Sequence, residues 1–220
     1  MTMATDQTAM TQALRQGAQA LGLALSQQQC QRLLDYQALL GKWNKVYNLT
    51  AVRDPSQMMT HHLLDSLAAV AAFAGARRVL DVGAGGGLPG IVLAIWAAEA
   101  EPAMHITLVD TVQKKTAFLT QVKAQLQLSN VTVLHARVEQ LPVEQQYDVI
   151  TSRAFAELKD FVEWSNHLLL ADGKFIALKG VMPQQEIERL PTGWAVTAVQ
   201  ALQVPGLDAE RHLVFLERSA

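Results

Sequence analysis

Five glycines within eight residues, at positions 83, 85, 86, 87 and 90, constrain this chain more than any other feature. They follow a short apolar run that contains a carboxylate, Val79-Leu80-Asp81-Val82, and precede an apolar helical pattern that begins at Ile91. Glycine reaches positive φ and admits a ligand where a Cβ would clash. Strand, glycine turn and helix N-terminus in that order make the nucleotide-binding corner of an α/β fold. Pro89 suits the first turn of the helix, where its missing N–H is no loss.

The pattern around this corner predicts the rest of the fold. From Arg78 onward, short apolar runs at 78–81, 105–110, 131–135, 148–152 and 174–179 alternate with helical segments at 88–99, 113–128 and 158–170. Such alternation implies parallel strands joined by right-handed crossovers. Two further runs, 194–204 and 212–217, are joined through Pro205-Gly206 and predict an antiparallel hairpin at the sheet edge. The expected class is therefore α/β: a Rossmann-like, mostly parallel seven-stranded sheet. Ahead of it, helical spacing at 9–21, 26–43 and 57–73, with Ser26 as an N-cap, predicts an N-terminal helical cap. The cap is expected over 1–75 and the core over 76–220, packed as one unit.

Composition excludes several classes. With 18 basic and 20 acidic residues, a net charge of −2 argues against a protein coated in positive charge, so any nucleic acid must meet a local basic patch. The single cysteine, Cys30, rules out an intrachain disulfide and a Cys-rich zinc site. Residues Met1 to Met10 lack the basic start and apolar core of a signal peptide, and no apolar run reaches spanning length. A cytoplasmic monomer without membrane contact is expected.

In open α/β sheets ligands bind beyond the carboxyl ends of the strands. That rule selects Asp81 with the glycine turn, Asp110, Arg137-Val138-Glu139, Ser152-Arg153-Ala154 and Lys179 as candidates. Two ligands compete for them. Gly85-x-Gly87-x-x-Gly90 matches the dinucleotide fingerprint literally, and Asp110, twenty residues past Gly90, suits a ribose diol. A small NAD-dependent oxidoreductase would follow, but it would need a second mononucleotide half. S-adenosylmethionine instead favours a carboxylate near its cationic end, and Asp81 stands two positions before Gly83. Asp110 would then hold the ribose, and Val138-Glu139 would flank the adenine. The blander readings are that Asp110 caps the helix starting near Gln113 and that Glu139 is a surface acid.

These residues resemble, over nearly the whole chain, the bacterial glucose-inhibited division protein B family, the small-subunit rRNA methyltransferase G. The resemblance is carried by Trp43-Asn44-Lys45-x-x-Asn48-Leu49-Thr50, His62-x-x-Asp65-Ser66-Leu67 and Asp81-Val82-Gly83-x-Gly85-x-Gly87-Leu88-Pro89-Gly90-Ile91. It continues through Lys114-Lys115, Arg137-Val138-Glu139, Ser152-Arg153-Ala154-Phe155-Ala156, Ala177-Leu178-Lys179-Gly180 and Glu210-Arg211-His212-Leu213. The resemblance implies a class I methyltransferase that uses S-adenosylmethionine, releases S-adenosylhomocysteine and methylates N7 of guanine 527 in 16S rRNA. It implies that Gly83, Leu88, Val138, Glu139 and Arg153 line the cofactor site, beside Asp81, Gly85, Gly87 and Asp110 from the residue reading. Thr111 stands where the family pattern leads one to expect serine.

The chemistry agrees with the resemblance. Guanine N7 carries an in-plane lone pair and no proton, so methylation needs placement rather than a general base. The chain has no Asn/Asp-Pro-Pro-aromatic tetrad after the fourth strand, and Cys30 lies in the cap, away from any strand end. Arg153 and Lys179 are the candidate catalytic residues. Lys114, Lys115, Arg137 and Lys179 are the candidate RNA contacts, on 16S rRNA or the assembling 30S particle and not on DNA. Lys114 and Lys115 can equally be solvated helix charges, Arg153 can pair with Asp81, and Phe155 can stack on a base or fill the core. Trp43 anchors the cap or stacks on RNA, and Asn44, Lys45 and Asn48 line the substrate channel or fix a turn. His61 and Asp65 share a helical face but lack a third ligand, so no metal is expected. A non-catalytic RNA-binding factor on a degenerate fold is the remaining rival.

Overall fold

The computed structural model describes residues 2–219. Helix α1 (Thr2–Ala20) leads to α2 (Gln27–Tyr47), which Ser26 opens with a capping box. The Ser26 hydroxyl accepts from the Gln29 N–H at 3.0 Å, and the Gln29 side chain accepts from the Ser26 N–H at 2.9 Å. Asn48 ends α2 in the left-handed region, at φ 49°.

The single helix expected over 57–73 is broken. It runs as α3 (Pro55–Met58), a π-helical turn (Met59–Leu64), α4 (Asp65–Leu67) and a 3₁₀ turn (Val70–Phe73). A π turn inserts one extra residue, and in a segment as apolar as 58–73 that one-residue slip leaves no clear mark in the hydropathy pattern.

The sheet follows: β1 (Arg78–Val82), α5 (Gly90–Ala100), β2 (His105–Asp110), α6 (Gln113–Gln125), β3 (Val131–His135) and β4 (Tyr147–Arg153). Next come α7 (Leu158–Ser165), β5 (Leu169–Lys179), α8 (Gln184–Ile187), β6 (Trp194–Ala201) and β7 (His212–Arg218). Strand order is β3-β2-β1-β4-β5-β7-β6, seven strands with β1 to β5 parallel. β7 is antiparallel to both β5 and β6, as the Pro205-Gly206 turn predicts. Every expected strand is present. Helix α5 begins at Gly90 rather than Leu88, with Pro89 as its N-cap residue after a cis Leu88–Pro89 bond.

The order reverses between β1 and β4, which opens a crevice beyond their carboxyl ends. That edge carries Val82, Asp110, His135, Arg153 and Lys179 as the last residues of five parallel strands.

The cap shares its core with the sheet. Leu33, Leu40 and Leu63 fall in one buried cluster with Val79, Ile91, Leu108 and Phe118. Trp43 packs on Phe118 at 5.5 Å between ring centres, and its Nε1–H donates to Gln121 at 3.0 Å. At the other end of α2, Gln29 donates to the Trp96 carbonyl at 2.9 Å, and the Ser26 hydroxyl donates to Glu99 at 2.8 Å. Among the described residues, no helix is long and apolar enough to cross a membrane.

Phe118 is fully buried where α2 meets α6. Phe118→Ala is expected to cost about 3–5 kcal/mol of unfolding free energy, read by urea denaturation.

Candidate active site

The glycine turn is tied down from three sides. Two N–H groups, of Gly83 and Ala84, donate to the Val109 carbonyl at 2.9 and 3.1 Å, which fixes the turn to the end of β2. The Gly85 N–H donates to Asp110 Oδ2, and the Gly90 N–H to Asp81 Oδ2, both at 2.9 Å. From above, the fully buried Tyr36 of α2 donates its hydroxyl to the Gly86 carbonyl at 2.5 Å. Burial drives the Tyr36 pKa far above its ordinary value, which keeps that proton in place.

Two of the glycines are required by the chain's own packing. Gly83 sits at φ 67°, and a Cβ there would run into the Phe155 ring. A Cβ on Gly90 would lie 2.6 Å from Asp81 Oδ2 and run into Leu108.

A cavity of about 320 Å³ opens beside the turn, lined among others by Gly83, Asp110, Val138, Glu139, Phe155 and Trp164. Asp110 is buried and doubly engaged, since Oδ1 accepts from the Val112 N–H at 2.8 Å and Lys115 Nζ lies 3.7 Å from Oδ2. It therefore organises both the glycine turn and the entry to α6, and its carboxylate edge still lines the cavity. Val138 is buried at the start of a short 3₁₀ turn (Val138–Gln140). Glu139 is exposed and paired with Arg137 at 2.7 Å, whose hydrogen bond holds the Glu139 carboxyl below its usual range.

A second cavity of about 340 Å³ lies across Ala154, which lines both. Arg153, Lys179, Arg211, His212 and Asp65 line its walls. Asp65 is buried between two guanidinium groups, Arg153 on Oδ2 at 2.9 Å and Arg211 on Oδ1 at 2.8 Å. Arg153 also donates to the His61 carbonyl at 3.1 Å. Lys179 is held by Glu186 at 2.6 Å and by the Ala156 carbonyl at 3.0 Å. Ala154 itself stands at φ 54°.

The sequence-predicted residues divide accordingly. Gly83, Asp110, Lys115, Arg137, Val138 and Glu139 meet at the first cavity, and Arg153 and Lys179 at the second. Arg153 is thus absent from the first cavity's wall, and its ion-pair partner is Asp65 in place of the Asp81 suggested above. The physical reason is that Asp65 projects from the irregular helix onto the guanidinium, while Asp81 Oδ2 is taken by Gly90. Gly85, Gly87 and Leu88 shape the turn and line neither cavity. Lys114 is exposed and has no carboxylate within 4.0 Å among the described residues.

Asp81 is fully buried beneath the turn, and its Oδ1 has no hydrogen-bond partner among the described residues. Burial raises its pKa to about 7, opposed by the Gly90 N–H and Arg153 and reinforced by Asp110. Like Gly85, Gly87 and Leu88, Asp81 lines neither cavity, so it acts on the site only through the turn and through its charge.

Sequence reasoning missed three participants. Trp164, 40% exposed, meets Phe155 edge-on at 5.8 Å on the first cavity's wall. Arg211 lies in a matched segment, but nothing local ties it to residue 65. Tyr36 falls on the buried stripe of α2 and reads as core. His62 is buried against Thr50 at 2.8 Å, with its pKa pushed down to about 4 by burial, so it is neutral at pH 7. Among the described residues, no group of three His, Cys, Asp or Glu side chains is placed to hold a metal ion.

With this geometry in hand, the chain was compared with known proteins. The family model described as GidB, rRNA small subunit methyltransferase G, matches residues 29–214. The chain belongs to this family. A relative named ribosomal RNA small subunit methyltransferase G, from Herminiimonas arsenicoxydans, is 67% identical over 98% of this chain and 99% of its own length. Among solved structures, the ribosomal protein L11 methylase of Lactobacillus delbrueckii subsp. bulgaricus superposes with a TM-score of 0.54 at 15% identity, covering 76% of this chain and 80% of that one. An S-adenosylmethionine-dependent O-methyltransferase of Thermotoga maritima gives a TM-score of 0.53 at 11% identity, over 82% and 72%. The chain shares its fold with these methyltransferases, and in its sheet the antiparallel strand β7 is inserted between β5 and β6.

Two measurements probe the site's electrostatics. The folded Asp81 pKa of about 7 exceeds the unfolded value of about 4, so the native state keeps a proton that the unfolded chain releases. Wild-type stability therefore falls as pH rises through that window, and Asp81→Asn, which still accepts from Gly90, should not follow. The variant is expected to gain on wild type by about 1.4 kcal/mol per pH unit between about pH 5 and about pH 7, read by urea denaturation. Removing the shared carboxylate with Asp65→Ala leaves two guanidinium groups uncompensated and should cost about 3–5 kcal/mol in the same assay.

Proposed function

We propose that this chain transfers the methyl group of S-adenosylmethionine to N7 of guanine 527 in 16S rRNA. The observation that carries the reading is the pair of cavities flanking Ala154, one bordered by Asp110 and Glu139, the other rich in cations. Family membership supplies the rRNA substrate class.

S-adenosylmethionine supplies a methyl group activated by a sulfonium. Everything else falls to the chain's own side chains. Asp110 accepts from the ribose diol, and the stretch Val138-Glu139 flanks the adenine. Gly83 lets the ligand lie against the backbone, and the cationic end favours the charged form of the buried Asp81. Across the Ala154 wall, Arg153 and Lys179 orient the guanine and its phosphate, with Lys115, Arg137 and Lys114 along the rim. N7 has a free lone pair, so no residue need take a proton, and alignment with exclusion of water carries the rate. Four of the five cations at this edge already neutralise a carboxylate, namely Lys115, Arg137, Arg153 and Lys179. They are held in place by those pairs, which suits orientation better than bulk attraction. The same reading has the protein act as a cytoplasmic monomer, on free 16S rRNA or an assembling 30S particle.

The test is transfer of labelled methyl to 16S rRNA lacking the modification, with the product nucleotide mapped. One 7-methylguanosine at position 527 is the expected result, and label elsewhere or none refutes it. Lys179→Ala is expected to lower transfer at least about tenfold while the affinity for S-adenosylmethionine, read by calorimetry, stays within about twofold.

A further inference from the structure

A third cavity, of about 600 Å³, lies in the helical cap, away from the site described above. Its apolar lining includes Leu34 and Met58, and its polar lining includes Lys42, Lys45, Asn48 and Arg53. No carboxylate is among its lining residues. Lys42, Lys45 and Arg53 are exposed and have no carboxylate within 4.0 Å among the described residues. That sets them apart from the cations of the sheet edge, four of which are paired.

The groove is held in shape by the chain itself. Lys42 and Lys45, three apart on α2, project side by side. Asn48 then reverses the chain in the left-handed region, and its Oδ1 accepts from Arg53 at 3.3 Å. The buried Asn44 clasps the returning loop, accepting from the Thr50 N–H at 2.8 Å and donating to the Val52 carbonyl at 3.1 Å. Three cations on a braced frame suit the phosphates of a single-stranded polyanion. The loop that leaves the groove runs on to the glycine turn, where the carbonyl of Leu49, next to Asn48, lies 3.9 Å from where a Cβ on Gly86 would stand.

We infer that this groove is a second grip on RNA, taking a single-stranded stretch of the strand whose target base enters the sheet edge. The inference rests on the reading of the chain as an rRNA methyltransferase and adds the place where affinity arises. With a net charge of −2 the molecule has no long-range attraction for RNA, so unpaired local cations must supply it.

The test uses the full chain carrying Lys42→Ala, Lys45→Ala and Arg53→Ala together. Binding to a 16S rRNA fragment is measured from low to moderate KCl, and affinity for S-adenosylmethionine by calorimetry. RNA affinity is expected to fall at least about tenfold, and the slope of log K against log salt to flatten by about two, from about 0.7 per lost phosphate contact. Affinity for S-adenosylmethionine should stay within about twofold. Unchanged RNA affinity and slope would overturn the inference, as would an equal loss of both ligands. If the triple variant fails to fold, Lys42→Gln with Lys45→Gln decides, with an expected flattening of about 1.4. A wild-type protein that methylates 16S rRNA beside an unaffected variant refutes only the groove, whereas an inactive wild type refutes the functional reading itself.

Discussion

Two carboxylates at the ends of neighbouring strands hold the glycine turn in shape, and the rest of the site depends on them. Asp81 and Asp110 each accept one N–H from the turn, at Gly90 and Gly85. Such charge-assisted bonds to backbone donors are stronger than neutral ones. They bring two negative groups together at the crevice, and the cost appears in Asp81, whose ionisation burial and Asp110 both oppose. A positive charge brought close to Asp81 would relieve that opposition.

The cap is part of this machinery. Tyr36 and Leu40 close over Gly86 from α2, and Leu49 presses on the same glycine. Asp65 joins the cap to β4 through Arg153 and to the segment before β7 through Arg211. Residues 65, 153 and 211 thus meet around a single carboxylate. A shift of the irregular helix would alter both guanidinium groups at the second cavity together.

Much of this fold was legible in the sequence because periodicity reports it directly. The alternation of strands and helices after Arg78 and the closing hairpin follow from spacing and turn residues. The break in the third helix did not, since the one-residue slip of a π turn is masked in a segment as apolar as 58–73. At the site, strand ends named Asp110, Glu139, Arg153 and Lys179, because the chain positions them through the sheet. Their partners came from elsewhere. Asp65 lies 88 residues from Arg153 and 146 from Arg211, and pairing at that distance leaves no local mark. Tyr36 was hidden for another reason, in that a hydroxyl on a buried stripe looks like packing until its acceptor is known.

Ala154 lines both chambers. Its left-handed backbone excludes β-branched residues, for which φ near 54° is a serious outlier. A β-branched side chain at this shared wall would therefore strain the backbone. What can stand between the two chambers at this position is limited by backbone conformation as much as by side-chain size.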